Sequence, residues 1–314
     1  MRFVRVVVVC AGALVASAGL LRDPAPRLAA AQPAPSAQAL QVEKITDRLF
    51  VLHGAGGNTA AWITANGVVV VDTKLPRWGQ PIIDRLREIT DRPVTTVVNT
   101  HAHFDHTNGN IEFPPEVEFV AHEETARLML APRPVLGLLS SSPRDIFDEH
   151  DGHGLPERTF KDRLTLGTGD DRVELYYFGR AHTSGDAWVV FPAARAVHVG
   201  DVFPGKTVPV IDGNNGGSGI EYLQTLDRVL ASLKDIDVVI TGHWHTALTV
   251  ADLRTFREFM GEFVAGVQAA KSAGRSIDDV AGTWRIPRRF VQMGYTHPGL
   301  RVRANVEVIW KETK

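Results

Sequence analysis

The sequence predicts an α/β protein built as a four-layer αββα sandwich, two mixed β-sheets face to face with helices on both outer sides. Three observations lead there. Blocks of β-branched, apolar residues alternate with segments of helical period, and the alternation runs through the chain twice. Blocks such as "GVVVVDT" and "DAWVVFP" are too apolar to leave one face in water, so both faces need cover. The chain has 314 residues, 44% of them hydrophobic, which is enough for one large core. Two sheets packed together and closed on the outside by helices is one economical arrangement that meets all three conditions. The strand order does not follow from the sequence.

The first 31 residues stand apart. "MRFVR" is a basic head, "VVVVCAGALVASAGLL" an apolar run, and "AAA" at Ala29–Ala31 suits a signal peptidase. Residues 1–31 therefore read as a secretory signal, with Gln32 as the first mature residue. The apolar run is a little short to span a bilayer. Arg2 and Arg5 are not adjacent, so there is no twin-arginine signal, and Cys10 has no convincing lipobox before it. An Ala/Pro-rich linker follows at 32–41, and the folded domain is expected over 42–314. Cys10 is the sole cysteine, so the mature chain has no thiol to serve as nucleophile or ligand. That fits a periplasmic or secreted protein without disulfides. Removing the signal takes away four arginines and one aspartate, which moves the net charge from −2 to −5. Nothing in that balance suggests nucleic acid or an anionic membrane as a partner. A small-molecule substrate is the expected partner, and the oligomeric state is open.

Within the domain, "RLFVLHG", "NTAAWITAN" and "GVVVVDT" read as successive strands separated by Gly/Asn turns. "PRWGQPIIDRLREIT" opens with proline and spaces Ile82, Ile83, Leu86 and Ile89 as a helix. "PVTTVVNT" and "EVEFVAH" are strands, and "EETARLML" is a helix. Residues 131–156 are rich in Pro, Ser and Gly, and predict a long loop or loose helical insert that flanks the site mouth. Strands resume with "DRLTLG", "RVELYYFG", "DAWVVFP" and "RAVHVGD". After the amphipathic "GIEYLQTLDRVLASL" come the strand "DVVITGHWH" and a long helix from Thr249.

Polar clusters recur where strands end. "NTHAHFDHTNGN" follows an apolar strand and packs His101, His103, Asp105 and His106 into six residues. His182 follows "YYFGRA", Asp201 follows "VHVG" and His243 follows "VITG". If these strands run alongside one another, the turns share one sheet edge, where open sheets build sites. In extended chain, residues two apart point the same way, so His101 and His103 can grip one cation. Asp105 and His106 then begin a new turn and face a second position. Imidazole and carboxylate donors without thiolate suit Zn²⁺, with Fe²⁺ and Mn²⁺ tolerated.

"THAHFDH", "GRAHTSGD", "VGD" and "TGH", in this order, resemble the metallo-β-lactamase superfamily over roughly residues 42–311. The resemblance implies the αββα fold and two Zn²⁺ per chain. It implies His101, His103 and His182 as ligands of a first ion and Asp105, His106 and His243 as ligands of a second. Asp201 matches the carboxylate that bridges both ions in glyoxalase-II-like and lactonase-like members. Asp72, in "GVVVVDT", matches the residue that supports the metal loop from beneath. The implied activity is hydrolysis of an acyl bond in a lactone, β-lactam or thioester by a hydroxide shared between the ions, with Asp105 aiming it and passing its proton to the leaving group. True lactamases carry cysteine or serine at the Asp201 position, so this chain departs from them there.

Other residues have weaker signals. His245 competes with His243, but the motif glycine precedes His243. His198 reads as a packed core histidine, His53 as a strand-end residue or one bordering the pocket, and His150 and His153 as solvated loop residues. Trp62 and Trp78 read as core. Lys206 is a candidate for a substrate carboxylate, and Asp186 for orienting an imidazole. Asp212, in "VIDGNNGGSG", belongs to no motif cluster, so its amide variant should leave the metal count intact. Two rival functions remain open. Persulfide dioxygenases of the same superfamily use a single Fe²⁺, here on His101, His182 and Asp201. A non-catalytic zinc-binding accessory protein is the other, though the intact ligand set argues against it.

Overall fold

The computed structural model describes residues 35–137, 146–297 and 299–314, so the expected signal at 1–31 lies outside the described residues. The first sheet holds seven strands in chain order: β1 (Gln41–Lys44), β2 (Leu49–His53), β3 (Thr59–Ile63), β4 (Val68–Val71), β5 (Val94–Asn99), β6 (Glu118–His122) and β7 (Arg158–Phe160). The first four pair antiparallel and the last four parallel. Crossovers between the parallel strands carry helices α1 (Gly79–Arg87), α2 (Phe104–Thr107) and α3 (Glu123–Leu130). The second sheet comprises β8 (Arg163–Leu166), β9 (Val173–Tyr177), β10 (Ala187–Phe191), β11 (Ala196–His198), β12 (Val238–Ile240) and β13 (Leu248–Thr249). Its spatial order is β13-β12-β11-β10-β9-β8, with β11 and β12 parallel.

The alternation of side chains explains the layers. In β4, Val69 and Val71 point between the sheets, while Val68 and Val70 point to the cluster under α1. Strand β2 divides likewise, Leu49 and Val51 inward and Phe50 and Leu52 outward. Each fully buried valine contributes about 1.5–3 kcal/mol, which is why a strand of four valines needs cover on both faces. The outer face of the second sheet is covered by α4 (Gly219–Ser232), α5 (Val250–Ser272) and α8 (Gly299–Glu312). Helix α5 starts at a capping box in which Thr249 and Asp252 satisfy each other's backbone N–H.

Two features go beyond the sequence reading. The stretch expected as linker is partly built in: Leu40 is buried against the α1 cluster and Gln41 already pairs in β1. The chain after α5 forms α6 (Ile277–Thr283), α7 (Arg288–Gln292) and α8, the last burying Val302, Val306 and Ile309 against the helical layer. Among the described residues no helix is long and apolar enough to cross a membrane.

Strands β4 and β5 run parallel, and β9, β11 and β12 share one direction because β9 and β11 both oppose β10. Their carboxyl ends therefore carry Asp72, His101, His182, Asp201 and His243 to the rim of the sandwich.

Candidate metal centre

Three overlapping groups of donor atoms form at this rim; one, Asp72 with His101 and His106, links the other two from beneath. His101, His103, His182 and Asp201 bring one ligand atom each within 4.8 Å of one another, and Asp105, His106 and His243 do the same. The first pair of histidines sits in the loop after β5. Asp105 and His106 follow on the single turn of α2, which turns them toward the second group. His182 Nε2 lies 3.0 Å from His103 Nδ1. His106 Nε2 lies 3.3 Å from His243 Nε2, and Asp105 Oδ2 is 3.4 Å from His243 Nε2. Asp201 stands between the groups. Its Oδ1 is 3.3 Å from His106 Nε2 and 3.2 Å from His243 Nε2, while its Oδ2 is 3.8 Å from His182 Nε2. Gly242 is needed beside it, because a Cβ there would overlap Asp201 Oδ1.

The donor set fits a metal. Four ligands around a tetrahedral zinc stand about 3.3 Å apart, close to the separations found here. His101 Nε2 and Asp201 Oδ1 are buried without a hydrogen-bond partner. Four of the five imidazoles are also held by their other nitrogen, which fixes the tautomer that presents a lone pair inward. Thr100 Oγ1 donates to Asp72 Oδ2 and so accepts from His101 Nδ1, at 3.0 Å. His106 Nδ1 donates to Asp72 Oδ2 at 2.7 Å, and His182 Nδ1 to the Val210 carbonyl at 2.6 Å. His103 Nε2 donates to Asp212 Oδ2 at 2.8 Å. Asp72 also accepts from Thr100 N, so one carboxylate braces the start of the histidine loop and its end.

Charge divides the two groups. Burial, then the neighbouring imidazoles of His106, His182 and His103, hold His101 well below the usual histidine range. Burial and His103 hold His182 down to about 4. Burial also opposes protonation of His106, but Asp72, Asp201 and Asp105 outweigh it and raise that histidine well above its usual range. His243 is raised by Asp201 and Asp105 against the same opposition from burial. Asp201 is driven well below the carboxylate range: burial would raise it, and His243 and His106 more than compensate.

Several sequence expectations need correction. Asp212 is no bystander: besides His103 it accepts from Asn215 Nδ2, Asn214 N and Leu136 N, and it is fully buried. Its one sequence signal was its place after the apolar "VPVI", which forms no strand here; its partner lies 109 positions away. Asp186 bonds no imidazole among the described residues. It accepts from the backbone N–H and the hydroxyl of Thr183, a local turn that takes up the carboxylate. Lys206 is engaged by Asp252 at 3.1 Å. His153 is half-buried, its Nε2 2.8 Å from the Phe113 carbonyl. His245 belongs to neither donor group. His198, by contrast, is the core histidine expected, bound to the Asn58 carbonyl, and His53 bridges Asn58 and Glu43. Residues 138–145 of the insert lie outside the described residues, but its two described ends do approach the site. Arg133, Val135 and Phe147 line an apolar hollow together with His103, Phe104 and Met129.

Comparison with known proteins agrees with this geometry. The sequence pattern of the metallo-beta-lactamase superfamily matches residues 53–245. The chain belongs to the metallo-β-lactamase superfamily. It is 30% identical over 256 residues to the 2,4-dinitroanisole O-demethylase subunit alpha of Nocardioides sp. (strain JS1661), a match covering 77% of this chain and 66% of that one. It is 20% identical over 219 residues to a metallo-beta-lactamase type 2 of Elizabethkingia meningoseptica, covering 65% of this chain and 78% of the other. The fold is shared with a metallo-beta-lactamase from Pontibacter korlensis, at TM-score 0.57 and 19% identity over 71% of this chain and 99% of that one. The DIM-1 metallo-beta-lactamase gives 0.56 and 18%, over 72% and 98%. As a member of this superfamily with a clustered His/Asp site, the protein carries the donor set of a metallo-hydrolase.

Proposed function

We propose that the protein is a binuclear zinc hydrolase that cleaves an acyl bond in a lactone, β-lactam or thioester. The observation that carries this reading is Asp201, whose two oxygens face one histidine group each. His101, His103 and His182 would hold one zinc, Asp105, His106 and His243 the other, and Asp201 both. Zinc held there supplies Lewis acidity, polarising the scissile carbonyl and making water ionisable near neutral pH. The residues do the rest. Asp105, whose side chain is 22% exposed, stands at the open side of the second group, where it can accept a proton from the attacking water. It can then deliver that proton to the leaving group. Asp212, Val210 and Asp72 hold the imidazoles so that they need not reorganise during turnover. The apolar hollow beside His103, with Arg133 among its lining residues, receives the non-reacting part of the substrate.

A second reading is favoured by one relative. The name of the Nocardioides protein describes removal of a methyl group from an aryl ether, and the hollow with Phe104, Met129 and Phe147 suits an aromatic ring. The reacting bond would then be an activated aryl ether. Metal analysis of purified protein, followed by assay against a β-lactam, a lactone, a thioester and a nitroaryl methyl ether, decides among them. Two zinc ions per chain with acyl hydrolysis is the expected result; one iron per chain would replace it with the dioxygenase-like reading. We further propose export with cleavage near Gln32. N-terminal sequencing from the native host tests this, and full-length chain in the membrane pellet would overturn it.

A further inference from the structure

Lys74 plays no part in the chemistry above, yet it is completely buried, on the turn after β4. Its φ is +69°, a left-handed conformation that costs a lysine strain. Burial pulls its ammonium down to about 7, against the attraction of Asp72 and Asp105. A methionine would fill the same space without removing a cation from water. Among the described residues the ammonium makes one hydrogen bond, Nζ to the Gly57 carbonyl at 2.5 Å.

That carbonyl belongs to the loop between β2 and β3, and the loop meets Asp105, His106 and the residues on either side of His243. Gly57 N donates to the Asp105 carbonyl at 2.8 Å. The His106 ring lies so close to Gly57 that a Cβ would overlap it. Asn58 N donates to the Gly242 carbonyl at 2.6 Å, and its Nδ2 to the carbonyls of Thr241 at 2.9 Å and Trp244 at 2.7 Å, on both sides of His243. The three histidines of the first group are braced elsewhere, by Thr100, Asp212 and Val210.

We infer that Lys74 is a positioning residue for the second cation: its ammonium fixes the Gly57 carbonyl, and the loop so fixed holds Asp105, His106 and His243 together. The inference rests on the two-cation reading. Calorimetric titration of metal-free protein with Zn²⁺ tests it without any turnover. Wild type should take up two ions in two steps. In Lys74→Met the first step should be unchanged and the second weakened about 10- to 100-fold. Lys74→Gln, which keeps a shorter donor, should fall between. One ion in the wild type would overturn the two-cation reading and this inference together. Two ions in the wild type with both steps unchanged in Lys74→Met would overturn the inference alone. So would equal weakening of both steps, or failure of both variants to fold without metal, since either makes the lysine a support of the fold and not of one position.

Discussion

The two donor groups are built from the same residue types but differ in setting. His101, His103 and His182 are 1%, 6% and 0% exposed, and burial holds His101 and His182 neutral with lone pairs free. The second group is wetter at two of its members, Asp105 at 22% and His243 at 33% side-chain exposure, and it is already satisfied in part: Asp72, Asp201 and Asp105 raise His106, and Asp201 and Asp105 raise His243. Where neutral imidazoles converge in a dry place, only a cation relieves their mutual crowding. Where imidazoles face carboxylates, protons can stand in for it, and loading metal must displace them. In the proposed reading the first group is a holder, and the second is where substrate, water and proton exchange meet.

Breaking the link between the groups should have the largest effect. Asp201→Asn keeps the shape but loses the charge that offsets two dications. It should lose at least one ion and about 10²-fold or more in turnover, read by atomic spectroscopy beside the hydrolysis rate. Wild-type metal content and rate would show that no bridge exists. Next comes Asp212→Asn, which should weaken the first binding step about 10- to 100-fold and leave the second alone. An unchanged first step would return Asp212 to the bystander role its sequence suggests. Phe104→Ala acts only on the substrate side: Phe104 is 39% exposed at the wall of the hollow. It should lower kcat/KM for a substrate with an aryl group about 10-fold, with metal content unchanged. The smallest effect is expected from His245→Ala. Metal content should stay at the wild-type level, whereas His243→Ala should lose the second ion; the opposite pattern would exchange the two histidines.

What could be read from the sequence was whatever is local. Strands such as Val68–Val71 announce themselves because β-branched side chains fill both faces of a pleated sheet. The histidines announce themselves because each lies within a few residues of an apolar strand's end. The strand order, by contrast, depends on which edges meet, and α6 and α7 are too short to carry a clear helical period. Asp212 and Lys74 were invisible for another reason. Their partners, His103 and Gly57, become neighbours only when the sandwich closes. Asp186 shows the converse error: a carboxylate four residues from a ligand looked aimed at it, but a neighbouring threonine offered two donors sooner.

The contact between Leu136 N and Asp212 Oδ1, at 3.1 Å, has a practical consequence for anyone reshaping the insert. The same carboxylate that steadies His103 also anchors the root of the segment that lines the hollow. A library that varies residues 131–137 to change selectivity is thus also varying cation retention, whether or not that is intended. Side chains at position 136 can be exchanged freely by this criterion, because the donor is main chain. Proline cannot, since it has no N–H to give. Screening such a library in a chelating buffer would separate the variants that have changed taste from those that have merely dropped their cargo.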